Sequence, residues 1–235
     1  MLLPVAILSG GFATRLRPLT ERVPKALLQV AGKPFVAWQL EYLRSQGAKR
    51  VVLCVGYLGE QIEAVVGDGS TYGLEVSYSW DGPTLMGTGG ALRQAVPLLG
   101  DRFFVFYGDS YLPVDFRAVE RSFLQGRKPA LMTVLQNHDR WDKSNVLFRQ
   151  GCIVEYNKHS PGPEMLHIDY GLGILSAPVL LERKAGVPFD LAEVYHSLSV
   201  AGKLAGFEVF DRFYEIGSQA GLQETEAFLA RGKQS

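Results

Sequence analysis

Residues 8–28 read LSGGFATRLRPLTERVPKALL and gather chemically capable groups on one loop. Gly10 and Gly11 carry no side chain, so a ligand can approach their backbone and take hydrogen bonds from the N–H groups. Arg15 supplies a planar, permanently charged fork suited to phosphate, and Lys25, after Pro24, supplies a point charge. A strand-to-helix connector needs only about two to six residues. A loop this long, glycine-led and cationic therefore points to anion binding; the bland alternative is a solvated basic loop. Two familiar phosphate loops fail on spacing. Ala13, Thr14 and Arg15 interrupt any G-x-G-x-x-G, and Lys33 is followed by proline where a P-loop has Ser or Thr.

Two further stretches could share that ligand. MGTGGAL (86–92) is a second glycine-rich turn opening a helical pattern, and a helix amino terminus favours a base edge or a phosphate. In YGDS (107–110), Asp109 closes a hydrophobic run. A lone aspartate there is more often a cap or turn residue, but nucleotide phosphates arrive with Mg2+ held by one or two carboxylates. Glu215, in RFYEIGS, offers the second carboxylate.

The elements around these stretches read as alternating strands and helices. VAILS (5–9) and RVVLCVGY (50–57) are buried strands, KPFVAWQLEYLRSQG (33–47) is an amphipathic helix, and LEVSYSW (74–80) alternates in period two. A helix from 89 and a strand over 102–112 follow. Repeated β-α-β implies a Rossmann-like α/β fold, a mostly parallel twisted sheet with helices on both faces. In such a sheet ligands bind beyond the carboxyl ends of the strands at the switch point, where the three stretches should converge. After about residue 125, strands dominate and suggest a smaller mixed-sheet region lying over the first half. Asp190 and Glu193 read as a capping-box variant, and 221–232 as a closing helix.

Composition narrows the partners. The chain has 235 residues, 47% of them apolar, which suits one large or slightly bilobed unit. Lys plus Arg and Asp plus Glu both number 24, so no global field favours nucleic acid or a membrane surface. Cys54 and Cys152 lie in apolar strand-like runs and read as buried reduced thiols, and four scattered histidines show no metal-ligand spacing. The amino terminus lacks a basic n-region, and no run approaches the roughly 18 apolar residues of a membrane helix. These features lead us to expect a cytoplasmic protein.

The stretch GGFATRLRPLTERVPKALLQVAGKP closely resembles the opening motif of the sugar-1-phosphate nucleotidyltransferases, and GTGGAL, YGDS, EYNK, IDYGLGIL and FYEIGSQAGLQETEAFL follow in family order. The resemblance covers nearly the whole chain. It implies one domain over 1–235, with a nucleotide-binding half to about 125, a sugar-binding half over 126–220 and a closing helix over 221–235. Its site residues follow position by position. Leu8, Gly10, Gly11, Thr14, Arg15, Lys25, Asp81, Gly87 and Thr88 would bind the nucleotide, with Arg15 on the leaving pyrophosphate and Lys25 on the α-phosphate. Gly108, Asn157, Lys158, Asp169 and Gly171 would bind the sugar phosphate. Asp109 and Glu215 would hold Mg2+. The departures are Ala13 where glycine is common, tolerable if φ there is negative, Asn157 where Glu-Lys is usual, Asp169 for a frequent asparagine and Glu215 for a frequent aspartate.

The implied reaction joins an NTP and a sugar 1-phosphate into an NDP-sugar with release of pyrophosphate, for nucleotide-sugar and cell-envelope polysaccharide synthesis. GTGGAL with IDYG resembles the guanylyltransferase branch, using GTP with mannose or D-glycero-D-manno-heptose 1-phosphate. Uridylyl, thymidylyl and cytidylyl transfer to glucose or amino-sugar phosphates share the skeleton. A non-catalytic nucleotide-sugar sensor and a metal-dependent glycosyltransferase are the rivals from other classes. The oligomeric state stays open, with a homo-oligomer compatible.

Overall fold

Val5 and Ile7 enter one apolar cluster while Ala6, between them, enters another. Phe104 and Phe106 face the first and Phe103 and Val105 the second. Successive residues of a strand point to opposite faces, so this division marks a sheet covered on both sides. The computed structural model, which describes residues 2–231, shows those covers. The first cluster includes Leu40 and Leu43 of helix Phe35–Gln46 and Phe116 and Val119 of helix Phe116–Gln125. The second includes Leu92 and Ala95 of helix Gly87–Leu99 and Leu191 and Val194 of helix Leu191–Val200.

Strand Val5–Leu8 pairs in parallel with Arg50–Val55 on one side and with Arg102–Tyr107 on the other. The chain first runs outward to Glu75–Trp80 and then returns across the first strand. Its direction of travel therefore reverses between Val5–Leu8 and Arg102–Tyr107, whose carboxyl ends frame a crevice.

The strands of the second half do not lie over the first. They extend one nine-stranded sheet, because the long antiparallel strand His167–Ser176 takes up the open hydrogen-bonding edge of Arg102–Tyr107. Ala130–Gln136, Leu204–Val209, Cys152–Tyr156 and Val146–Arg149 follow in that order. The long strand's register shifts between Asp169 and Gly173, so the sheet bends where the sugar residues were expected.

Local chemistry sets the helix ends. Gly47, at φ 95°, closes Phe35–Gln46, and Asp115 caps Phe116–Gln125 by accepting from the amides of Arg117 and Ala118. Asp190 caps Leu191–Val200 by accepting from Ala192, while Glu193 stands 3.9 Å from Arg183. The closing helix runs Gln219–Arg231, and the expected residues 232–235 lie outside the described ones. Cys54 is buried, but Cys152 is exposed: its strand turns Ile153 and Tyr156 inward and leaves Cys152 and Val154 facing out. Among the described residues, no helix is long and apolar enough to cross a membrane.

Candidate active site

A cleft of about 250 Å³ opens at the switch point. Leu8, Gly10 and Gly11 line it from the first strand's tip, Gly108 and Asp109 from the neighbouring one. Lys25, Asp81, Gly87 and Thr88 of the expected set also line its walls. A Cβ on Gly10 would stand 3.1 Å from the Gly56 nitrogen and 3.3 Å from Asp81 Oδ2. One on Gly11 would meet nothing within 4 Å among the described residues, so no packing among them explains that glycine. Gly108 has a packing reason: its Cβ would collide with the Leu8 carbonyl, and its amide donates to that oxygen at 3.0 Å.

Ala13 does not meet the condition of a negative φ. It sits at φ 49°, in the left-handed region, and begins the turn Thr14–Leu16. Its carbonyl accepts from the hydroxyl of buried Thr20 at 2.9 Å and from the Leu16 amide at 3.1 Å. Thr14 and Arg15 are exposed and lie off the cleft wall. Arg15 nevertheless approaches the charged centre. A Cβ on Gly217 would lie 3.1 Å from Arg15 Nη2, 2.6 Å from Glu215 Oε2 and 3.4 Å from Asp109 Oδ2. A guanidinium and two carboxylates thus face one point that a glycine leaves open.

Two short strands bring those carboxylates together. Glu215 pairs with Ser110, next to Asp109, and the Ile216 amide donates to the Asp109 carbonyl at 2.9 Å. Lys25 Nζ donates to Asp109 Oδ2 at 2.9 Å. Glu215 accepts from the Gly217 amide and from Ser218 Oγ, the latter at 2.6 Å. Among the described residues, no group of three or more His, Cys, Asp or Glu side chains could hold a metal ion. The candidate set is the Asp109 and Glu215 pair.

Asp81, which was expected to face the base, accepts through Oδ2 from the Met86 amide at 3.1 Å, and burial pushes its carboxyl above the usual range. The chain itself partly fills the expected glycine nest. The amides of Gly89 and Gly90 donate to the Phe189 carbonyl at 3.0 and 3.3 Å, leaving Gly87 and Thr88 on the cleft wall. Thr88 Oγ1 donates to Asp190 Oδ1 at 2.7 Å and accepts from the Leu191 amide at 2.8 Å.

Of the residues expected to bind the sugar phosphate, Gly108 lines the cleft, and Asn157, Lys158, Asp169 and Gly171 lie off its wall. Lys158 Nζ donates to Asp190 Oδ2 at 3.0 Å. Burial pushes the Asp190 carboxyl up, but the Ala192 amide, the Thr88 hydroxyl and Lys158 outweigh it and hold it below the usual range. Asp169 accepts from the Gly171 amide at 3.0 Å and from Tyr107 Oη at 3.3 Å. Burial raises its carboxyl to about 6 against those bonds and Lys158. Gly171, at φ 100°, lets the chain pass the Tyr107 ring, where a Cβ would stand 3.2 Å from Cδ2. Asn157 is not brought to the cleft: its amide donates to Glu155 and its carbonyl accepts from Ser160. Sequence reasoning missed Tyr107, which lines the cleft and touches Asp169, because an aromatic ending a strand reads as core. It took Asp190 for a cap alone.

The model of the family described as "Nucleotidyl transferase" matches residues 5–144, more than half of the chain and the segment carrying most of the cleft. The chain belongs to the nucleotidyl transferase family. An N-acetylmuramate alpha-1-phosphate uridylyltransferase of Neisseria meningitidis is 44% identical to this transferase over 97% of its length and 98% of the relative's. The beta catalytic subunit of mannose-1-phosphate guanylyltransferase from Drosophila pseudoobscura is 30% identical over 90% of the transferase and 58% of that protein. The crystal structure of HddC from Yersinia pseudotuberculosis superposes with a TM-score of 0.83 at 23% identity, covering 97% of the transferase and 100% of that chain. The transferase is thus an enzyme grouped with the sugar-1-phosphate nucleotidyltransferases, as its opening motif implied.

Proposed function

We propose that the enzyme transfers the uridylyl group of UTP to N-acetylmuramate 1-phosphate, giving UDP-N-acetylmuramate and pyrophosphate. The observation that carries this reading is the 44% identity to the Neisseria uridylyltransferase, end to end in both chains. The guanylyl reading drawn from GTGGAL and IDYG has support from the Drosophila relative, at 30% identity and 58% coverage of that protein. The longer and closer match outweighs it.

The chemistry needs no general base. An oxygen of the sugar phosphate, already anionic, attacks the α-phosphorus; the bond to the β-phosphate oxygen breaks, and pyrophosphate leaves with that electron pair. Catalysis then rests on alignment and on countering charge at the α-phosphate and leaving group. Lys25 serves the α-phosphate, exchanging Asp109 for a phosphate oxygen, while Arg15 serves the leaving pyrophosphate. Gly10 and Gly11 present backbone amides, and Lys158 meets the sugar phosphate. Asp109 and Glu215 fit a divalent cation: they supply hard carboxylate oxygens on one open point. They would hold Mg2+, whose charge when bound offsets that of the phosphate oxygens.

A product assay tests the substrates. UTP and GTP are each offered with N-acetylmuramate, mannose and manno-heptose 1-phosphates, and the nucleotide sugar is identified by mass. UDP-N-acetylmuramate should dominate. GDP-mannose or GDP-heptose as the main product would reverse the choice of branch.

A further inference from the structure

Asp190 makes more contacts than a helix cap requires. Oδ1 accepts from the Ala192 amide at 3.0 Å, the capping bond, and also from the Thr88 hydroxyl at 2.7 Å. Oδ2 accepts from Lys158 Nζ at 3.0 Å. One carboxylate therefore joins the first turn of the helix on the base side of the cleft to the lysine of the sugar side. The backbone beside it is fixed in the same direction. The Phe189 amide donates to the Met86 carbonyl at 3.1 Å, and the Phe189 carbonyl takes the Gly89 and Gly90 amides. A Cβ on Gly89 would collide with the Phe189 ring, so the two segments are in close contact.

A purely stabilising role explains this poorly. The side chains of Lys158 and Asp190 are 50% and 34% exposed, and ion pairs at such exposure add little to folding. The Thr88 bond is dispensable for the cap, since the Ala192 amide already satisfies that function. What the arrangement does achieve is placement. A lysine on four rotatable carbons would sweep a wide volume if untethered. Held by Asp190, its ammonium group stands at a defined distance from Thr88, which itself lines the nucleotide cleft.

We propose that Asp190 is a positioning residue, which holds Lys158 against the nucleotide side of the cleft through Thr88 so that an incoming sugar phosphate meets an ordered cation. The proposal rests on the reading of Lys158 as the sugar-phosphate ligand. An ordered lysine loses less freedom on binding, so the effect falls on the affinity for the sugar phosphate. Asp190 meets the nucleotide side only through Thr88, a bond that an amide oxygen at position 190 can keep, and the attack on the α-phosphorus involves other residues.

The test is a double-mutant cycle on the full chain with UTP and N-acetylmuramate 1-phosphate. Asp190→Asn keeps an oxygen for Ala192 and Thr88 but removes the charge that holds Lys158. It should raise KM for the sugar phosphate about tenfold, with kcat and KM for UTP within about twofold. Lys158→Gln should raise the same KM at least as far, and the double variant should be no worse than Lys158→Gln alone. Thr88→Val, which frees the carboxylate from the other end, should raise that KM by a smaller factor and supplies the test if Asp190→Asn does not fold. Independent, multiplying effects of Asp190→Asn and Lys158→Gln would overturn the proposal. So would a normal sugar-phosphate KM in Asp190→Asn beside a raised one in Lys158→Gln. A normal KM in Lys158→Gln would instead refute the ligand reading of Lys158, and the positioning role with it.

Discussion

Lys25 Nζ and Asp109 Oδ2 stand 2.9 Å apart, although the two residues are 84 positions apart in the chain. The pair sits where two neighbouring parallel strands end, with side chains 20% and 31% exposed. On the proposed reading, each charge holds the other until a ligand supplies a phosphate for the lysine and a cation for the carboxylate. The ion pair would then be a resting arrangement of groups whose working partners are substrates. Lys25→Met should lower kcat/KM for UTP about 10²–10³-fold, the range for loss of one preorganised transition-state contact. Its thermal midpoint should stay near that of wild type, because a partly exposed pair contributes little to folding. Steady-state kinetics beside a melting curve checks both halves.

Glu215 depends on two glycines. A Cβ on Gly221 would collide with Glu215 Oε1 and stand 2.6 Å from the Glu215 carbonyl oxygen. Gly221→Ala should therefore displace the carboxylate, lower kcat about tenfold or more and raise the Mg2+ concentration that gives half-maximal rate. Activity measured across a Mg2+ titration reads this. An unchanged titration curve would remove Glu215 from the metal set.

Ala13 pays a conformational penalty that glycine would avoid. A left-handed alanine costs about 1–2 kcal/mol, against about 0.4–1 kcal/mol from the added freedom of glycine in the unfolded chain. Ala13→Gly should stabilise the protein by about 0.5–1 kcal/mol, a rise in Tm of about 1–4 °C. Differential scanning calorimetry decides it, and a lower Tm would show that the Thr20 anchor already relieves the strain.

Asp169 gives the stability of the protein a pH dependence of known sign. Burial raises its carboxyl to about 6, so the folded protein binds that proton more tightly than the unfolded chain. Its contribution is complete below about pH 4 and is lost as the pH rises through 6. Asp169→Asn can keep the bonds to Gly171 and Tyr107 without the buried charge. It should stabilise the protein by about 1–2 kcal/mol at pH 8 and by nearly nothing at pH 4. Urea unfolding at the two pH values compares them.

Much of the cleft was legible in the sequence, because many of its residues lie in short motifs at strand ends and topology brings strand ends together. Gly10, Gly11, Asp81 and Asp109 line one cleft for that reason, joined by Lys25 from a turn and Gly87 from a helix start. What the sequence hid were contacts between distant segments. Nothing in GTGGAL announces that the Phe189 carbonyl occupies two of its amides, and nothing near Asp190 announces Lys158. Tyr107 and Cys152 misled for a related reason. The side a strand residue faces depends on its neighbours in the sheet, so an apolar run cannot show which tip lines a cleft or which thiol meets solvent. The second-half strands were recognised, but continuation of the first sheet follows from the open edge of Arg102–Tyr107, a feature of the assembled fold.

The most direct test of the cleft as the seat of nucleotidyl transfer is phosphorus NMR of UTP with N-acetylmuramate 1-phosphate and Mg2+ under enzyme. Wild type should produce UDP-N-acetylmuramate and pyrophosphate in equal amounts, while Arg15→Ala and Asp109→Ala should slow both together by about 10²-fold or more. Signals that persist at the wild-type rate in the two folded variants would place the chemistry elsewhere.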